Sequence, residues 1–220
     1  MVRVNWQWCC GILAAIAISP CVILTDAVKA SDWDGLWKNI SLRPKPPLGG
    51  RGDFCPISPR LVKDSIELVS GDRLLLVWDG AIGKVEIHEA GNDVPLWGQV
   101  IDREARQLLY TGTSLIAGAR YEWWIFNRFA VNETKPTLRI PFQVLDSSER
   151  DRVAIDLDNL NTKIRSMRKW ASMEEWTQMR SQYFVSQGLY VDAMREILSV
   201  QRPSQELRSI WQKLPDVCRR

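Results

Sequence analysis

Histidine is almost absent from this chain, because His88 is the only one among 220 residues. A zinc site built from cysteine and histidine needs more ligands than that, which argues against a metal centre. A hydrolase with a Ser–His–Asp or Cys–His–Asp triad would have to be built around His88. That residue alternates with Val85 and Ile87, as exposed and buried strand positions do. We therefore predict an exposed strand histidine, no enzyme activity and no cofactor or metal.

The chain also lacks a strong excess of one charge. Its formal net charge is +3, and lysine and arginine are scattered rather than gathered into a basic stripe. This pattern argues against nucleic acid as a partner. With 45% apolar and 25% charged residues, the composition is that of a globular protein with one core and room for a smaller appendage.

The apolar run at the N-terminus, from Cys9 to Leu24, follows a weakly positive start at Arg3. It is shorter than the roughly 20 apolar residues of a typical membrane-spanning helix. Small residues at Val28 and Ala30 then suit cleavage before Ser31. We predict a signal peptide over residues 1–30, a periplasmic or secreted protein, and no membrane span after cleavage. An uncleaved leader that anchors the protein in the inner membrane is the alternative.

Few cysteines remain after the predicted leader, namely Cys55 and Cys218. Two cysteines in an exported chain are often bridged. We predict a disulfide between them, with two free thiols as the alternative.

Residues 31–60 are typical of a linker. The segment 44–52 is rich in proline and glycine, which disfavour both helices and central strands. Trp33 and Trp37 lie four residues apart and could dock onto the main body as a short turn.

Residues 61–145 show strand patterns separated by turn residues about every ten positions. This spacing predicts an antiparallel β-sandwich of the immunoglobulin or fibronectin kind. We expect strands at 74–78, 84–88, 95–101, 107–111, 121–126 and 137–144. In the fifth of these, Trp124 and Phe126 point away from the face that carries Trp123. We predict that the C-terminal helices cover these two aromatic residues.

Residues 148–214 change to a helical period and form a helical segment packed on the sandwich, so that the fold class is α+β. Ser148 with Asp151 and Ser172 with Glu175 resemble helix-capping pairs. Asp192 is expected to open a third helix, and the sequence after Pro203 a fourth. The apolar stripes of these helices predict buried faces.

Short motifs resemble those of known families. The turn from Gly188 to Met194 resembles that of a tetratricopeptide-like helix pair. A wider resemblance is carried by Arg51-Gly52, Cys55-Pro56, Leu115, Gly118, Tyr121, Trp123 and the Gly188 turn. With these residues, the chain over about residues 50–214 resembles an uncharacterised family of exported cyanobacterial proteins, a domain of unknown function. The resemblance implies an envelope location and brings no functional residues. The strands around Trp123 are also similar to fibronectin type III modules, which mostly bind or space.

Three functions are open on this sequence. The first is a non-catalytic envelope protein, an interaction or scaffold module that binds an unknown envelope protein. The second is a carbohydrate-binding module, since nine of the eleven tryptophans follow residue 30 and exposed indoles stack on sugars. The third is a glycosidase with paired carboxylates, for which Asp79, Glu86 and Glu89 are candidates.

Overall fold

The computed structural model describes residues 33–41, 54–71, 73–129, 132–167 and 171–219. The chain divides into two compact units, residues 1–30 and 31–220. The predicted leader, its cleavage site and the proline-rich part of the predicted linker lie outside the described residues. All that follows concerns the second unit, which has a mixed α+β fold, as the sequence predicts.

Eight strands and six helices are described, in the order α1, β1 to β8, α2 to α6. The strands are β1 Phe54–Ser58, β2 Glu67–Val69, β3 Leu75–Gly80, β4 Ile82–Glu89, β5 Pro95–Val100, β6 Gln107–Leu109, β7 Arg120–Asn127 and β8 Leu138–Val144. The helices are α1 Trp33–Ser41, α2 Ser147–Met167, α3 Met173–Ser186, α4 Tyr190–Leu198, α5 Gln205–Gln212 and α6 Asp216–Arg219.

The strands form two sheets. One has the order β1-β3-β6 and the other β2-β8-β7-β4-β5. The pairs are antiparallel except β2 with β8, which is parallel. Gly80, with a φ of 87°, is the last residue of β3 in the first sheet, and β4 of the second sheet begins two residues later. A side chain would make that backbone conformation costly, so glycine suits the change of sheet.

One buried apolar cluster joins the two sheets. Leu76 and Trp78 of β3 belong to it together with Trp123 and Ile125 of β7. The rings of Trp78 and Trp123 lie 6.4 Å apart, centroid to centroid. Alternate residues of each strand therefore supply the main core, as the period of two in the sequence predicts.

The helices cover the other face of the three-stranded sheet. Leu75 and Val77 of β3 alternate with the core residues and belong to a second buried cluster, which includes Met194 and Ile197 of α4. Strand β3 is thus buried on both faces. A strand buried on both faces needs apolar residues at successive positions, and the run Leu74–Trp78 supplies them.

The described parts of the predicted linker, at both of its ends, differ from expectation. Residues 33–41 form helix α1 and residues 54–58 form strand β1, and both are packed into the body. Trp33 and Trp37 are buried in the second cluster, and the Trp33 Nε1 donates a hydrogen bond to Glu174 at 3.0 Å. The apolar side of α1 needs a partner to be stable, and helices far along the chain provide it.

Helix α4 is fastened to the sheet by buried polar groups. Asp192 accepts hydrogen bonds from the Ser70 backbone N–H at 2.8 Å and from the Ser70 hydroxyl at 2.5 Å, and Arg195 lies 3.0 Å from it. Burial raises the pKa of Asp192, although Arg195 and Ser70 oppose that shift. Burial also acts to raise the pKa of Glu196, but hydrogen bonds and charge from Arg180 and Arg195 outweigh it and the pKa is lowered.

The helix caps agree with the sequence in one case and differ in another. Ser172 and Glu175 form the expected capping box at the start of α3. Helix α2 is instead capped by Asp146. The Asp146 carboxylate accepts hydrogen bonds from the Glu149 N–H and the Ser148 hydroxyl, both at 2.8 Å. The backbone hydrogen bond from Glu149 and that from Ser148 lower the pKa of Asp146. The predicted cap at Ser148 is therefore wrong by two residues, because the Asp146 carboxylate accepts the Glu149 N–H at the start of the helix.

Candidate functional site

Strand β5 forms one edge of the five-stranded sheet. The Ile101 N–H donates to the Gly83 carbonyl at 2.9 Å, and Gln99 pairs with Val85 two residues before. Because backbone groups alternate in an antiparallel ladder, Gly98 and Val100 direct their N–H and C=O groups away from the sheet. No strand among the described residues pairs with that side of β5.

This edge lacks charge, one of the usual protections against pairing with other chains, although Pro95 stands at its start and its pairing with β4 is irregular at Ile87/His88. Edges are commonly blunted by charged side chains, yet β5 contains none over Pro95–Val100. Its apolar side chains are exposed, Val100 by 64% and the preceding Val94 by 69%. Pro95 lies at the opposite end of the strand from Val100 and removes no outward donor at Gly98 or Val100.

A groove of about 420 Å³ opens beside the C-terminal end of β5. Its apolar wall includes Ile82, Val100, Ile101 and Phe129. Phe129 is 79% exposed, whereas phenylalanine is among the residues most often buried in proteins. The groove therefore joins the exposed edge to a second exposed apolar surface.

Two arginines give the groove its charge. Arg103 and Arg128 both line it, and the Arg128 guanidinium lies 4.5 Å from the centre of the Phe129 ring. No described carboxylate forms an ion pair with either arginine, and no described acidic side chain lines the groove. An apolar wall with two free guanidinium groups suits a ligand that carries a carboxylate beside an apolar group.

His88 is buried, with 1% exposure, so the prediction of an exposed histidine is wrong. Its Nδ1 lies 3.0 Å from the Asn92 carbonyl oxygen, and its Nε2 lies 3.0 Å from Glu86 Oε2. The ring stacks on Trp124 at 3.7 Å. Because both ring nitrogens are engaged and the ring is covered, His88 has no free position from which to act on a substrate.

Trp124 and Phe126 are buried, as predicted, but side chains of their own sheet cover them. The Arg139 guanidinium lies 3.9 Å from the Trp124 ring, and the Lys84 ammonium lies 4.0 Å from the Phe126 ring. Trp124 Nε1 donates to Glu122 at 2.6 Å. The prediction that helices cover this face is therefore wrong. Long basic side chains shield the aromatic rings and keep their own charges in water.

The three carboxylates considered for a glycosidase lie apart in the fold. Asp79 is on β3 in the smaller sheet, and Glu86 and Glu89 are on β4 in the larger one. Alternation sends Glu86 and Glu89 to opposite faces. Glu86 also contacts Lys84 at 3.0 Å besides His88. A glycosidase needs two carboxyl groups that face one cleft, and these residues do not offer it.

The two cysteines of the predicted bridge lie together. Cys55 of β1 and Cys218 of α6 form a disulfide with their sulfur atoms 2.08 Å apart. The bond links the edge strand of the smaller sheet to the last described helix.

The tryptophans do not form an exposed platform. No described tryptophan is exposed, and those that are half-buried are Trp97, Trp176 and Trp211. Trp97 packs edge-on against Tyr110 with ring centroids 5.2 Å apart. Sugar binding by flat indoles needs open rings, which this part of the chain does not present.

Comparisons with known proteins found no similar protein. No protein-family model matches the chain, and no curated protein or solved structure is significantly similar to it. Within the described residues, no cluster of three or more histidine, cysteine or acidic side chains could hold a metal. No described helix has the length and apolar character to cross a bilayer.

Sequence reasoning missed the groove and the exposed edge. Arg103 and Arg128 follow two different strands, β5 and β7, and only the pairing of both with β4 brings them together. The absence of charge in β5 is visible in the sequence, but its position at a sheet edge is not.

Proposed function

We propose that this protein is a non-catalytic interaction or scaffold module of the cell envelope, which binds another polypeptide by adding a strand to β5. The observation that carries the proposal is the outward direction of the Gly98 and Val100 backbone groups on an exposed strand without charge. An extended segment can satisfy those groups with main-chain hydrogen bonds, while neighbouring pockets select its side chains.

Export is part of this proposal. A disulfide between Cys55 and Cys218 is suited to an oxidising compartment such as the periplasm or the exterior. The sequence pattern of residues 1–30 agrees with this location, and an uncleaved leader in the inner membrane is the alternative.

We also propose that the two sheets form a sandwich and that α3 and α4 form a tetratricopeptide-like pair. The shared cluster around Trp78 and Trp123 supports the first idea. Gly188, with a φ of 73°, supports the second, because it turns the chain between the two helices.

The carbohydrate and glycosidase alternatives have less support. The first needs exposed indole rings, and the second needs two facing carboxyl groups. The described residues offer neither, whereas the β5 edge and its groove are open.

The experiment compares Val100→Pro with Val100→Thr. Proline removes the outward N–H and blocks an incoming strand, yet it is tolerated at an edge because that N–H makes no bond within the sheet. Threonine keeps the N–H and the branched shape. Each variant is used to capture proteins by crosslinking in the envelope fraction, after circular dichroism and urea unfolding show that both are folded.

We expect Val100→Thr to capture the same proteins as the unmodified chain and Val100→Pro to lose them. Equal capture by the two variants contradicts strand addition at β5. Gln99→Pro serves as a comparison for damage to the fold, because the Gln99 N–H faces β4 and its loss weakens the sheet itself.

A further inference from the structure

The lining of the groove beside β5 suits a segment with a carboxylate next to an apolar side chain, and the chain itself contains such a segment. Arg103 and Arg128 line the groove and can bind an anionic group, and Val100 and Phe129 line it and can contact an apolar one. Asp93 and Val94, in the turn before β5, are both exposed. No described cation forms an ion pair with Asp93. A carboxylate next to an apolar side chain is therefore available on the same edge of the same sheet.

The positions of these groups along β5 are symmetric. Asp93 and Arg103 lie equally far from Gly98 in opposite directions, and so do Leu96 and Val100. When two identical strands pair antiparallel about a two-fold axis, residues equally far from the axis come face to face. An axis at Gly98 brings Leu96 of one copy opposite Val100 of the other. The segment before β5 that carries Asp93 then lies near the segment after β5 of the other copy, which carries Arg103.

We propose that the strand that pairs with β5 is β5 of a second copy of this chain, joined antiparallel about a two-fold axis at Gly98. This inference rests on the proposed function and names its partner. In the dimer, Asp93 and Val94 of each copy occupy the arginine-lined groove of the other. The outward N–H and C=O groups of Gly98 and Val100 pair across the axis, and the two five-stranded sheets become one.

The charges around the groove agree with this arrangement. Asp102 and Glu104 flank Arg103 in sequence, but neither lines the groove. The incoming Asp93 therefore meets the two arginines without an acidic side chain between them.

The dimer is expected to be reversible. Each copy contributes a strand of 6 residues and one turn, which is little beside the roughly 1,600 Å² buried in a standard stable complex. We expect a monomer–dimer equilibrium that depends on protein concentration.

The test is sedimentation velocity of the full chain over a wide concentration range, with charge-reversal variants. Asp93→Arg brings a positive charge to the groove that already holds Arg103 and Arg128, and Arg103→Asp places a second carboxylate beside the incoming Asp93. Like charges in contact oppose association, so each variant alone should weaken the dimer on the order of tenfold or more. A mixture of the two variants in equal amounts restores an opposite-charge pair at both grooves, as does the double variant.

Three results together support the proposal: a dimer of the unmodified chain, its loss in each single variant, and its return in the mixture. A chain that stays monomeric at every concentration, single variants that dimerise normally, or a mixture that stays monomeric overturns it. Failure of the dimer proposal can be told apart from failure of the proposed function. If the chain is monomeric but Val100→Pro still loses a captured protein, strand addition stands with a different partner, and if capture is unchanged both ideas fail.

Discussion

Replacement of Trp124 by alanine tests how the outer face of the larger sheet is covered. Trp124 is 4% exposed and lies between the His88 ring and the Arg139 guanidinium. Truncation of a buried tryptophan costs about 3–5 kcal/mol of unfolding free energy. Arg139 is half-exposed, so its contact with the ring contributes only about 0.5–1 kcal/mol within that range.

The matched control is Trp124→Phe. Phenylalanine keeps an aromatic ring against His88 and Arg139 but loses the Nε1 hydrogen bond to Glu122. We expect the control to cost about 1–2 kcal/mol, the sum of one hydrogen bond and a small loss of packing. Urea unfolding followed by circular dichroism gives both free energies.

The same variants test whether the C-terminal helices depend on Trp124 for their stability. Because α4 packs on Leu75 and Val77, Trp124→Ala should destabilise the whole unit without making the helices selectively sensitive to protease. A cost below about 1 kcal/mol, far under the usual range, would mean that the face is open. Selective cleavage of α3 to α5 with an intact sheet would mean that the helices depend on Trp124 after all.

Three further predictions concern the bridge, a tyrosine and the leader. Thiol labelling of the unfolded, unreduced protein should modify neither Cys55 nor Cys218; reduction should lower the unfolding free energy by at most about 5 kcal/mol, the chain-entropy value for a separation of 163 residues. Burial, with the hydrogen bond to Asp156, raises the pKa of Tyr183 to about 12, so its stabilising contribution is present below pH 10 and lost as the pH rises through about 12. Ultraviolet titration of Tyr183→Phe should lack a late-ionising component that the unmodified protein shows. N-terminal sequencing should begin at Ser31, and retention of residues 9–24 would favour the anchored alternative.

Several elements follow from local sequence. Strands β7 and β8 are predictable because alternate residues such as Trp123 and Ile125 face one core. The start of α3 is predictable because Ser172 and Glu175 satisfy each other's backbone groups within one turn. Each of these patterns is complete within a few residues of the chain.

Other features depend on contacts between distant residues. Helix α1 is stable because Trp33 reaches Glu174, 141 residues away, which no local pattern reveals. His88 is buried because the ring of Trp124 lies over it, although its own strand alternates as an exposed position would. The exposed edge at β5 depends on the order of strands in the sheet, and the groove depends on two turns that this order brings together.

Amide hydrogen exchange along β5 tests the central claim, strand addition at this edge, most directly. In dilute protein the Gln99 N–H, which faces β4, should exchange slowly, and the Gly98 and Val100 N–H groups should exchange fast. When a second strand binds, we expect Gly98 and Val100 to become protected while Gln99 changes little. Association that leaves the Gly98 and Val100 amides unprotected would contradict the account.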